Sequence, residues 1–357
     1  MLAFRLARSG LVQRAAASEE LAAAAACPAS DFSRDAALLA LAARAEGVTR
    51  EAYDAAVEDG AVVVAYVMRG AIHAVAPGDH ALYGRALLAR DDDELGVQLG
   101  RQVQKIGVPP GEALAEVTEA VDKVLANGTK LDKNDLHAAL RERVRDELMP
   151  WCKGCGSHHV APMLWRYATV AAGARLDAER RYLLAKGRTK KAPDASKAVR
   201  RFLSFYGPAT PAAFAEWAGL ARSHAQRLWD AVETVDSDGG GALLPGDVAA
   251  AASPPTARGI RLLPPGDPYL QKPNRALLAP DDATRKRLFR PTASPGAVLQ
   301  DGRLVALWRA KAKGKTTTIL DVEPLAKTPK LRRAELDDEA QRIAALRGTP
   351  QLSLVIA

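Results

Sequence analysis

The stretch from Ala36 to Val75 constrains the fold more than any other part of the chain. Ala36, Leu39, Ala40 and Ala43 recur at helical spacing, and Gly47 stands where that helix would stop. Thr49 can cap a second helix with Glu51 in its first turn. Tyr53, Ala56 and Val57 give it one apolar face, and Gly60 ends it. Ala61 to Met68 is valine-rich and reads as a strand, Arg69-Gly70 turns it, and Ala71 to Val75 returns before Pro77. Two short helices followed by a hairpin form the winged helix-turn-helix pattern. That pattern sets its second helix in a DNA major groove and its hairpin on the backbone or minor groove. A single copy carries little weight, but this one returns twice.

The second pass is looser. Leu114, Val117, Val121, Val124 and Leu125 mark a helix ended by Asn127-Gly128, and Asp132 can cap another bearing Leu136, Leu140 and Val144. Pro162 opens a helix with Leu164, Trp165 and Ala168 that Gly173 ends, followed by a short hairpin around Asp177. The third pass is clearest. Val199, Phe202, Leu203 and Tyr206 lie at i, i+3, i+4 and i+7, and Gly207-Pro208 turns the chain. Thr210 caps a helix with Pro211 in its first position. After Gly219 a further helix, Arg222 to Thr234, buries Ala225, Leu228, Trp229 and Val232 and leaves Arg222, Ser223, Gln226 and Arg227 outward. Arg and Gln pair bidentately with guanine and adenine edges, so Arg222, Gln226 and Arg227 are candidate DNA contacts, although a solvated helix face looks the same.

From Gly259 the texture changes to strands. Arg261 to Pro265, Ala297 to Gln300, Arg303 to Ala310 and Thr316 to Val322 alternate, with Asp301-Gly302 as a hairpin turn. A helix, Glu335 to Leu346, precedes a last strand, Leu352 to Ile356. The expected architecture is therefore α+β: three tandem winged helix-turn-helix units followed by a small antiparallel, barrel-like β domain. The divisions fall at 1–94 for the N-terminal helices and first unit, 95–190 for the second, 191–258 for the third and 259–357 for the β domain. Met1 to Gln13 reads as a first helix continued from Leu21 to Cys27, rather than as a transit peptide.

Charge favours a polyanionic partner: Lys+Arg 50 against Asp+Glu 42 gives +8. Lys186, Arg188, Lys190 and Lys191 cluster in a linker beside the third unit, and Lys313 and Lys315 stand at a hairpin tip. Phosphate contact and plain solvation both fit these lysines and arginines. No apolar run approaches the ~18 residues of a membrane span. Three cysteines make no disulfide framework, which points to a reducing cytoplasm, beside the nucleoid if DNA is the partner.

Several constellations invite a metal or phosphate reading, and the expectation is that no cofactor and no metal is needed. Cys152-Lys-Gly-Cys155-Gly-Ser-His158-His159 could form a zinc knuckle. Four ligands within eight residues strain a tetrahedral shell, however, so a structural turn with packed thiols is the simpler reading. Asp236 to Asp247 has calcium-loop spacing without its full carboxylate set, and reads instead as the wing of the third unit. The acidic run Asp91 to Glu94 reads as a solvated loop rather than a metal site. Gly314-Lys315-Thr316 lacks the first glycine of a phosphate loop.

These residues together resemble a family. Met68-Arg-Gly-Ala-Ile-His73, Phe205-Tyr-Gly-Pro-Ala-Thr-Pro-Ala-Ala-Phe214, Leu263-Pro-Pro-Gly-Asp-Pro-Tyr-Leu270 and Pro295-Gly-Ala-Val-Leu-Gln-Asp-Gly302 with Trp308-Arg309 are similar to segments of the bacterial winged-helix DNA glycosylases. Those enzymes excise alkylated purines and unhook interstrand crosslinks. The resemblance implies three winged-helix units, a C-terminal β domain, duplex DNA as partner and no cofactor. It also implies a glutamine-bearing motif before the first helix-turn-helix. Here that place reads Cys27-Pro-Ala-Ser30-Asp31-Phe32, with Ser30 where the leading glutamine belongs.

The chemistry says what must stand in for the glutamine. Alkylation at N7 makes a purine cationic, so the protein need only stabilise an oxocarbenium-like sugar and hold a water. Asp31 can do both, with Ser30 and His73 as hydrogen-bond partners and Arg69 on a phosphate; Asp31 equally suits a turn or a helix cap. Two readings stay open. One is a monofunctional glycosylase of alkylated or crosslinked purines. The other is a non-catalytic DNA-binding protein, a regulator or damage sensor. Three internal repeats suit a self-sufficient monomer.

Overall fold

The computed structural model describes residues 1–16, 27–33, 35–188 and 191–356. The expected helix from Leu21 to Cys27 therefore lies almost wholly outside the described residues. The chain gathers into two compact units. The first comprises Met1–Asp54, Arg201–Ala209 and Thr234–Ala357; the second comprises Ala55–Arg200 and Thr210–Glu233. None of the described helices is long and apolar enough to cross a membrane.

A five-stranded sheet forms the centre of the first unit, in the order Ile260–Leu263, Gly296–Gln300, Arg303–Lys313, Thr317–Pro324, Gln351–Ile356. The first four strands pair antiparallel, with Asp301 and Gly302 both at positive φ in the tight turn the sequence predicts. The expected barrel does not close, because the order is linear and leaves two edges. The expected antiparallel pairing also fails at the last strand, which runs parallel to its neighbour. The reason is the helix Arg333–Leu346: a crossover through a helix returns the chain in the same direction and covers one face instead of continuing the meander. Gly296 stands opposite Trp308 and leaves the room its indole occupies, so that Trp308 Nε1 reaches the Leu263 carbonyl at 2.9 Å.

Packed against this sheet is a cluster that includes Leu6, Leu11, Tyr269, Leu270, Leu299 and Leu307. Its polar counterpart is a buried fork: Arg44 Nη1 and Nη2 donate to the two Asp267 oxygens, both at 2.8 Å. Arg44 also bonds the Ala40 carbonyl at 2.7 Å, so the pair ties the end of the Ala36–Ala42 helix to the loop that follows Leu263. Arg5, on the Leu2–Arg8 helix, is buried as well. It donates to the carbonyls of Gly207, Pro208 and Pro273 and to Asn274 Oδ1.

In the second unit the hairpin Val63–Tyr66/Ile72–Val75 pairs with the hairpin Ala174–Leu176/Tyr182–Leu184 through Val64 and Leu176. Two segments expected as separate wings thus share one sheet. Trp165, on the Pro162–Ala172 helix, packs edge-on against Tyr66 at 5.4 Å and Tyr182 at 5.2 Å and closes that sheet's core. The helices Pro211–Ala218 and Arg222–Asp230 meet at Gly219 (φ 75), and Thr210 caps the first of them as predicted. A Cβ on Gly219 would sit 2.7 Å from Arg69 Cγ and 3.2 Å from its Cα. Glycine is needed there both for its φ and for the close approach. The acidic run is a helix start rather than a loop: Asp91 accepts from the Asp93 and Glu94 amides and caps Asp92–Gln104. Carboxylates belong at that end of a helix.

The Arg44–Asp267 fork generates a stability prediction. Arg44→Met leaves a carboxylate buried without its counter-charge, and is expected to cost about 3–5 kcal/mol in urea-induced unfolding. A loss below about 1 kcal/mol would mean that the fork is not what holds the loop.

Candidate functional site

The N-terminal loop alternates in exposure. Ser30 is half-buried, Asp31 is 1% exposed and Phe32 is 63% exposed. An extended chain turns alternate side chains to opposite faces, so Ser30 and Phe32 reach the surface while Asp31 points inward. Its Oδ1 accepts the Ala37 amide at 3.3 Å, at the start of the Ala36–Ala42 helix. Gly266, at φ 79, lies against this loop, since a Cβ there would be 2.9 Å from the Phe32 ring and 3.6 Å from Ser30 Cβ. Through Gly266 and Asp267 the loop after Leu263 is thus the support for the candidate segment. Cys27 next to it is no nucleophile: burial pushes its thiol up to about 12.

Arg69 and His73 come together in the second unit. Arg69 takes φ 59 at the tip between Val63–Tyr66 and Ile72–Val75. His73 is buried; its Nδ1 lies 3.0 Å from the Ala71 carbonyl, to which it can only donate. That leaves Nε2 as an acceptor, 3.4 Å from Arg69 Nη2. Burial first, and the Arg69 guanidinium second, push the ring's pKa down to about 3. His73 is therefore a neutral imidazole that orients Arg69, not a general acid.

A basic cleft of about 280 Å³ lies in the same unit, lined among others by His80, Arg85, Arg175, Lys186 and Arg188. Arg175 is committed to the Val57 and Glu58 carbonyls at 2.8 and 2.9 Å. Arg188 bonds Asp122 at 2.7 Å and the Ala172 carbonyl at 2.9 Å. Arg85 is held below its usual pKa by burial and then by Arg188, a like charge that an anionic ligand would offset. Sequence reasoning missed Arg85 and His80, since a lone arginine after Gly84 carries no pattern. Lys186 and Lys191 are exposed; Lys190 lies outside the described residues.

The Arg222–Asp230 helix exposes Arg222, Gln226 and Arg227 as expected. Two of the three also serve the unit itself. Arg227 grips Glu94 at 2.5 and 2.7 Å, joined by Ser223 at 2.5 Å, which holds that carboxyl down at about 2. Gln226 Nε2 donates to Asp230 at 2.7 Å. Lys313 and Lys315 stand exposed at the far end of the long hairpin of the first unit, where the neighbouring Lys311 pairs with Asp321 at 2.7 Å.

The family model for AlkZ-like DNA glycosylases matches residues 15–346. The chain belongs to that family. Among its relatives is the interstrand DNA cross-link repair glycosylase of Streptomyces sahachiroi, 27% identical over an alignment 348 residues long, gaps included, that covers 89% of this chain and 88% of that one. A solved structure, the Streptomyces sahachiroi DNA glycosylase AlkZ, superposes with a TM-score of 0.74 at 22% identity, covering 100% of this chain and 98% of that one. At that identity the likeness concerns the fold.

Within this AlkZ-like fold, Ser30 and Phe32 are the members of the N-terminal segment that face outward, and Asp31 is the buried one. A hydroxyl and an aromatic ring can bind and stack on a base; the carboxylate accepts the Ala37 amide at the helix start.

The buried His73 ring yields a pH prediction. Its folded pKa of about 3 lies below the ordinary 6.5, so its contribution to stability is complete above pH 6.5 and is lost as pH falls toward 3. Ring resonances of His73 are expected to stay flat through 6.5 in an NMR titration, and His73→Gln is expected to flatten the fall in unfolding free energy between 6.5 and 3. A His73 midpoint near 6.5 would overturn the buried, neutral assignment.

Proposed function

We propose that this AlkZ-like protein is a repair glycosylase that hydrolyses the N-glycosidic bond of alkylated or crosslinked purines in duplex DNA. The observation that carries the reading is the family match over residues 15–346. The helix-turn-helix and hairpin repeats act as winged-helix modules. The basic cleft around Arg85, Lys186 and Arg188 holds phosphates, and Lys191, Arg222, Lys313 and Lys315 are separate phosphate contacts on their own units. Arg69, aligned by His73, adds a phosphate contact at the hairpin tip.

The lesion supplies much of the driving force. An N7-alkylated purine is already cationic, so the C1′–N9 bond breaks with its electron pair passing to N9, and the base leaves neutral. Water then bonds C1′ and gives up a proton to a nearby carboxylate. Phe32 stacks on a base and Ser30 hydrogen-bonds the displaced nucleotide or the water. Asp31 stabilises the oxocarbenium-like sugar by its charge while its Oδ1 caps the Ala36–Ala42 helix.

A second reading is favoured by one observation, the burial of Asp31 on the Ala37 amide. In that reading the protein binds damaged duplex and leaves the bond intact. The measurement that separates them is release of 7-methylguanine from methylated duplex. The glycosylase reading expects release, reduced about a hundredfold in Asp31→Asn, whose side-chain carbonyl still caps the helix. Undiminished release in that variant removes Asp31 from the chemistry. Absence of release with duplex binding retained selects the binding reading. In either case Lys186→Ala with Arg188→Ala is expected to weaken duplex affinity and reduce the salt slope by about 2. Affinity indifferent to salt would refute DNA binding through this cleft.

A further inference from the structure

A second cluster of reactive side chains lies apart from everything assigned above. Cys152-Lys-Gly-Cys155-Gly156 forms the tip of a two-stranded hairpin, Trp151–Cys152 against Ser157–His158. The Cys155 and Gly156 amides both donate to the Cys152 carbonyl, at 3.2 and 2.9 Å, and Gly156 takes φ 60. This turn folds the chain back so that both sulfurs face the same side, where His159 joins them. One ligand atom each from Cys152, Cys155 and His159 lie within 4.8 Å of one another.

We propose that Cys152, Cys155 and His159 bind a thiophilic divalent cation of the zinc type. In a tetrahedral shell, neighbouring ligand atoms are about 3.5–3.8 Å apart, so the cluster must contract by at most about 1.3 Å. The histidine is prepared for the role: His159 Nδ1 lies 2.8 Å from the Val160 carbonyl, to which it donates, and this leaves the Nε2 lone pair as the ligand atom. Two thiolates offset the ion's charge, since both thiols give up their protons on binding.

The objection raised by the sequence, four ligands crowded into eight residues, does not apply to this geometry. His158 is turned away, with its Nδ1 2.9 Å from the Met149 carbonyl and its ring edge-on to Trp151. Only three ligands come from the hairpin. The fourth position opens on a cleft of about 320 Å³ lined by Cys155, His159, His137 and Trp165. The His137 ring lies 5.4 Å from that of His159, and its buried Nδ1 has no hydrogen-bond partner among the described residues. A neutral imidazole or a water from this cleft completes the shell. Bound metal would clamp the hairpin at the entry to the Pro162–Ala172 helix, whose Trp165 closes the core of the adjoining sheet.

The test uses the full chain, stripped with a chelator under reducing conditions and titrated with Co(II). About one equivalent is expected to bind with a thiolate-to-cobalt charge-transfer band and tetrahedral d–d bands, both removed by added Zn(II). Cys152→Ser and Cys155→Ser are each expected to abolish the charge-transfer band, with folding checked by circular dichroism. Should either variant unfold, the wild type still decides: zinc release must track alkylation of Cys152 and Cys155, mapped by mass spectrometry. No charge-transfer band in the wild type, or zinc retained after both thiols are alkylated, overturns the proposal.

Discussion

The Arg44–Asp267 fork is the interaction on which the first unit's candidate loop depends. Two fully buried charges are tolerable only when each meets the other with good geometry and the remaining donors and acceptors are satisfied. Here the fork is bidentate, Arg44 also bonds Ala40, and Asp267 accepts the Tyr269 amide at 2.8 Å; among the described residues the buried Arg44 Nε finds no acceptor. That arrangement fixes the Pro264–Leu270 loop, and Gly266 of that loop backs the Ser30–Phe32 segment. Tyr206, whose hydroxyl donates to the Pro268 carbonyl at 2.8 Å, reinforces the same loop. The alternation that turns Asp31 inward and Phe32 outward therefore rests on an ion pair between residues far apart in the chain.

In the second unit close approach plays the corresponding role. Gly219 lets a helix corner touch the backbone at Arg69, and Arg69 in turn is aligned by a histidine that burial keeps neutral. The shared sheet ties the two hairpins together through Val64 and Leu176. Cationic residues are divided between tasks. Arg175, Arg188 and Arg227 are held by acceptors of the unit itself, whereas Arg85 is held below its usual pKa by burial and by the like charge of Arg188, in a cleft where an anion would be stabilised. Net positive charge alone could not distinguish these groups.

Much of the local structure was legible. The caps at Thr49, Asp132 and Thr210, the Asp301-Gly302 turn and the helix end at Gly173 all stand where residue chemistry predicts. The acidic run was misread because Asp91 to Glu94 suits a solvated loop and a helix N-terminus equally well; the apolar positions Leu95 and Leu99 that decide between them come afterwards. The barrel was misread because alternation specifies strands but not the direction of the last one, which a helical crossover sets. The candidate metal centre was half legible. The Cys-x-x-Cys spacing is plain, but the choice between His158 and His159 depends on which ring nitrogen meets which carbonyl.

By itself the sequence determined the order and kind of the elements, their caps and turns, and a family resemblance sufficient to name DNA glycosylases. Those signals act over a few residues, where side-chain periodicity and backbone preference are local energies. Only the tertiary structure decided that Asp31 is buried while Phe32 is exposed, that two hairpins share a sheet, that Arg85 meets Arg188, and that two cysteines and one histidine converge. Each of these arises from contacts that exist only once the backbone is brought back on itself, and desolvation, which gives them their energy, has no counterpart in the linear chain.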